Sequence, residues 1–356
     1  MKIKTIIAVL LVLLMASVTA FGCAAPAEET EPSAAEEAAQ APAEETASEE
    51  AAADEEEAET DLPLKGKKIG FAHLTLMDEW CVSVADAMEK IGYELGAEEV
   101  NVQVAEFDLE TQVKDIENFI NQQYDAIFIL TGFTDAIIPY VQEAKDAGIP
   151  VIAMDGTIEG DPLVSHIVWD QSYTGTVLGE AVADYIDENF GGEARIVCLD
   201  SKTLEHMAVR AVAFLEVLDE RFGDKITIVN DADCQTREAA MNVITSINEP
   251  YDLIYAASDS NAYGAIAALE QKGLTDIPVF ACGGYGSELY DALTAPNGQL
   301  QGVINVPGSS IVQSAYDMLL KYYNGDTDIP ERVNCEFLYV SRDDSPEMIA
   351  TTKPAE

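Results

Sequence analysis

Positive charge is what this chain of 356 residues has least of: 19 Lys and Arg stand against 65 Asp and Glu, a formal net charge of -46. A nucleic-acid partner is thereby excluded, because binding a phosphate backbone requires clustered Lys and Arg. Histidine is scarcer still. His73, His166 and His206 lie far apart and form no HExxH pattern, and no serine occupies a GxSxG setting. A P-loop is missing too, and the GGYG segment at Gly283 is too short for a dinucleotide fingerprint. The sequence therefore supports no catalytic residue, no metal and no cofactor, and a hydrolase is the weakest of the function classes. The six cysteines show no CxxC spacing, which argues against both a zinc site and a disulfide framework. Buried free thiols are the simpler reading, with one chance pair left open.

Long apolar runs are lacking as well, with one exception. Ile6 to Met15 follows Lys2 and Lys4 and precedes small residues and Gly22-Cys23. This run falls short of the roughly 20 apolar residues that cross a bilayer, so residues 1–22 read as a secretory signal. The residues ending at Cys23 resemble the lipobox of bacterial lipoproteins, although Ala20-Phe21-Gly22 lacks the usual leucine three places before the cysteine. That resemblance implies lipid on Cys23 and a body tethered to the extracytoplasmic face of the cell membrane. Plain secretion with a free Cys23 is the alternative. Residues 24–61 contain fifteen Asp and Glu and no Lys, Arg or aromatic. Nothing there can bury a core, so residues 23–62 are expected to form a disordered, self-repelling linker. The body from Leu62 onward keeps a charge of -33.

What the body does have is an alternation of two hydrophobic periods. Short runs rich in β-branched residues, KKIGFAHL from Lys67, VNVQVAEF from Val100, DAIFIL from Asp125, IPVIAMD from Ile149 and VSHIVWD from Val164, read as buried parallel strands. Helical stripes lie between them: Val84, Met88, Ile91 and Leu95, then Val113, Ile116 and Ile120, then Ile137, Val141 and Ala144. Gly96 and Gly148 stand where the first and third should stop. A long helix through Val177, Leu178, Ala181, Tyr185 and Ile186 follows, and the alternation restarts with ARIVCLD, KITIVND, DLIYAAS, IPVFACG and QLQGVIN. Parallel strands need crossover helices, which cover both faces of a sheet. Two sets of five strands thus predict an α/β protein of two doubly wound, Rossmann-like lobes, since a chain of this size splits around two cores. One ten-stranded sheet is the alternative.

The order of segments from Lys67 to Val340 resembles the type I periplasmic sugar-binding proteins, the ribose- and galactose-binding relatives. Five segments carry the resemblance: MDEWCVSVADAM with Trp80, IPVIAMD ending at Asp155, HIVWDQSYTG, HMAVRAVAF with Arg210, and SDSNAYGAIAAL from Ser258. It implies a three-crossing hinge near Asp170, Asn305 and Arg332. The first lobe would then comprise residues 63–170 plus 306–332 and the second 171–305 plus 333–342, with a tail over 343–356.

Open α/β sheets bind ligands beyond the carboxyl ends of their strands, which brings forward Asp78, Glu79, Trp80, Thr131, Asp155 and Asp170 from the first lobe. Arg210, Cys234, Ser258, Asp259, Gly283, Tyr285 and Asn305 come from the second. Sugar recognition uses planar hydrogen-bonding groups with an aromatic face. By resemblance, Asp155, Arg210 and Asn305 bind ligand and Trp80 supplies the aromatic. Ser258 replaces an Asn, Gly283 an Asp, Gly156 an Arg and Cys234 an aromatic, which implies a roomier or differently polar pocket. The plain readings are that Asp78 and Glu79 are a solvated face, Trp80 is core, Asn305 shapes the hinge, and Asp259 caps the helix before NAYGAIAAL. His73 and His166 read as core groups, and His206, one turn before Arg210, as a weaker ligand candidate.

The resemblance implies a substrate-binding lipoprotein of an ABC transporter. It would be a monomer that turns nothing over, holding a small polar ligand, a monosaccharide, between its lobes for an ABC permease. A receptor subunit that reads a sugar or an autoinducer for a chemoreceptor or sensor kinase is the alternative.

Overall fold

The structure, a computed structural model, describes residues 62–156, 158 and 163–354, with the side chains of residues 205 and 206 left aside. The expectations for the signal, for Cys23 and its lipid, for the acidic linker and for the His206 side chain lie outside the described residues. The first lobe begins with β1 (Lys68–His73), α1 (Glu79–Glu94), β2 (Glu99–Val104) and α2 (Leu109–Asn121). β3 (Ala126–Leu130), α3 (Thr134–Asp146), β4 (Val151–Met154) and β5 (Ser165–Trp169) complete its continuous part. The second lobe follows as α4 (Gln171–Phe190), β6 (Ala194–Asp200), α5 (Glu205–Phe222), β7 (Ile226–Asp233) and α6 (Arg237–Ser246). It continues through β8 (Leu253–Ala256), α7 (Asp259–Lys272), β9 (Val279–Gly284), α8 (Ser287–Thr294) and β10 (Leu300–Asn305). The chain then returns, with α9 (Gly308–Tyr323) and β11 (Arg332–Cys335) in the first lobe and β12 (Leu338–Ser341) and α10 (Pro346–Ala350) in the second.

There are two separate sheets, ordered β2-β1-β3-β4-β5-β11 and β7-β6-β8-β9-β10-β12, so the single-sheet alternative is wrong. Each sheet opens with the doubly wound order 2-1-3-4-5. All strand pairs are parallel except β10 with β12. Every residue of β3, β8 and β9 is buried, which is why these strands read as unbroken apolar runs. α1 and α9 pack together on one face of the first sheet, with α2 and α3 on the other. α4 with α5 and α6 with α7 sandwich the second sheet in the same way.

The chain crosses between sheets at Asp170, at Val306-Pro307 and at Glu336-Phe337. The first two positions agree with the resemblance. The third needs correction from Arg332: Arg332 to Cys335 pair with His166 to Trp169 and so extend the first sheet. Residues beyond 342 are likewise built into the second lobe. Ile349 is buried in its core, and the Thr352 carbonyl accepts from the Gly286 N–H at 2.7 Å.

Candidate functional site

The carboxyl ends of these two sheets carry the candidate residues, each attached to a strand end or to the helix that follows one. In the first lobe, β1 runs into a loop whose Asp78 caps α1, its Oδ1 accepting from the Cys81 N–H at 2.8 Å. Trp80, two residues on, is half-buried against the core, and its indole N–H has no hydrogen-bond partner among the described residues. At the end of β3, Thr131 is taken up inside the lobe. Its hydroxyl donates to Gln112 Oε1 at 2.7 Å and accepts from the Phe133 N–H.

Asp155 follows β4 with φ +61, a left-handed conformation that costs a residue other than glycine free energy and so must be held by its surroundings. The Asp155 N–H donates to the Ile167 carbonyl at 2.8 Å, and His166 Nε2 lies 2.7 Å from the Gly156 carbonyl oxygen. A side chain at Gly156 would meet the Thr131 carbonyl oxygen at 2.0 Å. The turn therefore admits no arginine there, and the pocket loses that cation for a steric reason. Asp170 caps α4, accepting from the Tyr173 N–H at 3.0 Å.

In the second lobe Arg210 is the central group, buried to 7% exposure. Its Nη1 donates to the carbonyls of Ala257 at 2.9 Å and Cys282 at 2.6 Å, beyond β8 and inside β9, and its Nε donates to Gln171 Oε1 at 2.5 Å. These three partners are neutral. A buried cation so placed is costly unless its donors are satisfied; the two carbonyls and the Gln171 amide oxygen take up Nη1 and Nε, and none of these contacts uses Nη2. Gly283, at φ +129, makes room: a Cβ there would lie 2.7 Å from Arg210 Nη1. Gly283 is thus fitted to the arginine.

Gln171 had no signal in the sequence. Its Nε2 donates toward Asp155 Oδ1 at 3.4 Å while its Oε1 accepts from Arg210, so one amide spans the two lobes. Asp259 differs from its expected role. Ser258 is the cap of α7, its side chain accepting from the Asn261 N–H, and Asp259 is the first helical residue. Burial pushes the Asp259 carboxyl up to about 7, with the Asp78 charge adding to the shift, although the N–H groups of Ser260 and Tyr285 donate to it. Burial raises the Cys81 thiol too, and the charges of Asp78, Asp155 and Asp259 all add to that shift. Carboxylates from both lobes therefore gather around one point.

Two expected residues do not face this region freely. Cys234 is fully buried in the second-lobe core, so its thiol offers no surface to a ligand. Its carbonyl instead accepts from Asn261 Nδ2 at 3.2 Å. Asn305 is 1% exposed, and its Nδ2 donates to the Thr351 carbonyl and Oγ1, both at 3.1 Å, leaving Oδ1 without a partner among the described residues. The remaining cysteines, Cys81, Cys198, Cys282 and Cys335, are buried and free. A crevice of about 730 Å³ at the hinge is lined by Asp170, Tyr173, Asn305 and Phe337, and a smaller one of about 380 Å³ by Asp155, Asp170, Gln171 and Arg332. Neither is lined by Trp80 or Arg210. Asp170 and Asn305 thus share the larger crevice, and Asp155 and Asp170 the smaller.

Among the described residues no cluster of His, Cys, Asp and Glu could hold a metal ion, and no helix is long and apolar enough to cross a membrane. Comparison with known proteins places this geometry. The xylitol-binding protein of Mycolicibacterium smegmatis is 26% identical over 50% of this chain and 51% of its own length. The D-xylose-binding periplasmic protein of Escherichia coli is 30% identical over 59% of this chain and 64% of its own. The chain thus spans between half and two thirds of these relatives. Among solved structures, an ABC transporter solute-binding protein of Mycobacterium smegmatis with bound glycerol superposes with a TM-score of 0.70 at 21% identity, covering 82% of this chain and all of that one. One from Actinobacillus succinogenes with bound D-allose gives 0.68 at 24% identity, over 78% of this chain and 98% of the other. Residues 69–327 match the family described as periplasmic binding protein domain. With two doubly wound lobes, three crossings and the candidate groups at the facing strand ends, this chain belongs to the periplasmic binding protein family.

Proposed function

We propose that this protein is an extracytoplasmic solute-binding lipoprotein, tethered through Cys23, that captures a small polyhydroxylated ligand between its lobes and delivers it to an ABC permease. It performs no turnover and acts as a monomer without a cofactor. One observation carries this reading: Arg210 of the second lobe and Asp155 of the first approach the same amide, that of Gln171, one at its oxygen and the other at its nitrogen. A guanidinium and a carboxylate so placed donate to and accept from ligand hydroxyls, which a sugar or polyol presents in adjacent pairs. Trp80 offers an apolar ring face nearby on the first lobe. The relatives named for xylose and xylitol support the same class of ligand.

Capture follows from differential affinity. A ligand touching both lobes stabilises the closed form over the open one by the contacts that only closure completes, and equal affinity for the two would shift nothing. A thermal-shift screen of the mature body against pentoses, hexoses, polyols, nucleosides and amino acids tests the proposal, since a ligand bound only by folded protein raises the melting temperature. A pentose or its polyol is expected to give the largest rise. A response confined to amino acids or nucleosides would replace the ligand class, and turnover of a bound ligand would replace the function. Mass spectrometry of the N-terminal peptide from membranes reads the lipid on Cys23.

A further inference from the structure

The short helix α8 has no cap of its own. Its N-cap is Gly286, at φ +134 and ψ +177, which supplies no side-chain acceptor. The acceptor comes from the other lobe: Glu79, the first residue of α1, places Oε2 3.2 Å from the Glu288 N–H. The approach is close along the whole side chain, since a Cβ on Gly286 would lie 2.7 Å from Glu79 Cβ and 2.8 Å from its carboxyl carbon. Glycine at 286 thus serves two needs, a backbone conformation closed to L side chains and the space that Glu79 fills. Arg237 Nη2, 2.6 Å from Glu288 Oε2, partly offsets the repulsion between the two carboxylates. Thr352 secures the receiving side by accepting from the Gly286 N–H at 2.7 Å.

We infer that Glu79 is an interlobe latch: its carboxylate caps α8 when the lobes meet, and so favours the closed state whatever ligand lies between them. Opening must strip α8 of this acceptor and expose its first N–H groups to water. The contact takes Glu79 out of the candidate binding groups and uses neither Asp155 nor Arg210. The latch therefore sets how tightly the lobes hold and leaves the choice of ligand to other residues. It rests on the proposed capture function only for its effect on affinity, and the contact itself can be read without any ligand.

The test compares wild type, Glu79→Ala and Glu79→Gln. Amide hydrogen exchange at Glu288 is measured first in ligand-free protein. The latch predicts exchange several-fold faster in Glu79→Ala, with Glu79→Gln restoring most of the protection because its amide oxygen still accepts. Glu79 is exposed on α1, and circular dichroism of each variant confirms that the fold persists. Equal exchange at Glu288 in wild type and Glu79→Ala overturns the inference, even if no ligand is ever found. For any ligand that shifts the melting temperature, Glu79→Ala is expected to raise Kd about three- to ten-fold, the usual consequence of losing a helix cap, and by the same factor for every ligand. A change in the rank order of ligands would make Glu79 a specificity residue and also overturn the latch.

Discussion

Gln171 accepts from Arg210 Nε–H at 2.5 Å and turns its own amide nitrogen toward Asp155. The residue just past the first crossing thereby ties the second-lobe guanidinium to the first-lobe carboxylate. The second contact, at 3.4 Å, is the long one, so lobe opening breaks it first and leaves Gln171 with Arg210.

Removing Arg210 is expected to act on stability and binding together. Arg210→Ala leaves the buried carbonyls of Ala257 and Cys282 without their donor, which costs about 1–3 kcal/mol. It also abolishes the ligand-induced melting shift. Gln171→Ala is expected to weaken the shift with a smaller loss of stability, because the strand-end carbonyls keep Arg210. Urea unfolding and thermal shift, run on both variants, separate the two effects.

Asp155 is expected to oppose stability and function. Glycine adopts φ +61 without strain, so Asp155→Gly should stabilise the unliganded body by about 0.5–1 kcal/mol. It should lose the ligand response at the same time. A destabilised variant with an intact ligand response would show that the side chain serves the fold and not the ligand.

The sign of the pH dependence at Asp259 follows from its carboxyl standing near 7, against 3.8 when exposed. Between these values the folded protein holds a proton that the unfolded chain releases. The contribution is therefore present at low pH and is lost as pH rises from about 4 to 7. Melting temperatures of wild type and Asp259→Asn across this range should diverge, wild type falling relative to the variant as pH rises. Parallel curves would place Asp259 in water.

His166 is expected to behave in the opposite sense. Burial holds its imidazole below the usual value of 6.5, so the ring stays neutral in the folded protein where it would be charged in the unfolded chain. Its contribution is present above 6.5 and is lost as pH falls below it. An NMR titration of the ring carbons should show a midpoint below pH 6.5. A midpoint at that pH would mean that the turn presenting Asp155 opens to solvent.

Ten of the twelve strands among the described residues were legible because a strand buried on both faces prints a continuous apolar run, as in Ala126–Leu130 and Val279–Gly284. β11 and β12 were not. Each has four residues, and only Cys335 and Val340 among them are buried, so no hydrophobic period marks them out. The resemblance brought Asp155 and Arg210 forward as candidates, and both lie against the Gln171 amide. Gln171 was hidden, because a glutamine at the start of a helix has nothing in its neighbours to mark it. Cys234 misled for the converse reason: a position after a strand does not state whether its side chain turns to the cleft or to the core.

The chain's own order of residues determined the class of fold, the two lobes and ten of the strands, because these follow from local periods of burial and from where helices stop. Only the tertiary structure decided that Gln171 joins Arg210 to Asp155, that the half-buried Asp259 feels the charge of Asp78, and that Glu79 reaches Glu288. Each of these relationships joins residues of different segments, in the last case 209 positions apart. They depend on how two sheets meet across three crossings, and no local pattern of side chains encodes that meeting.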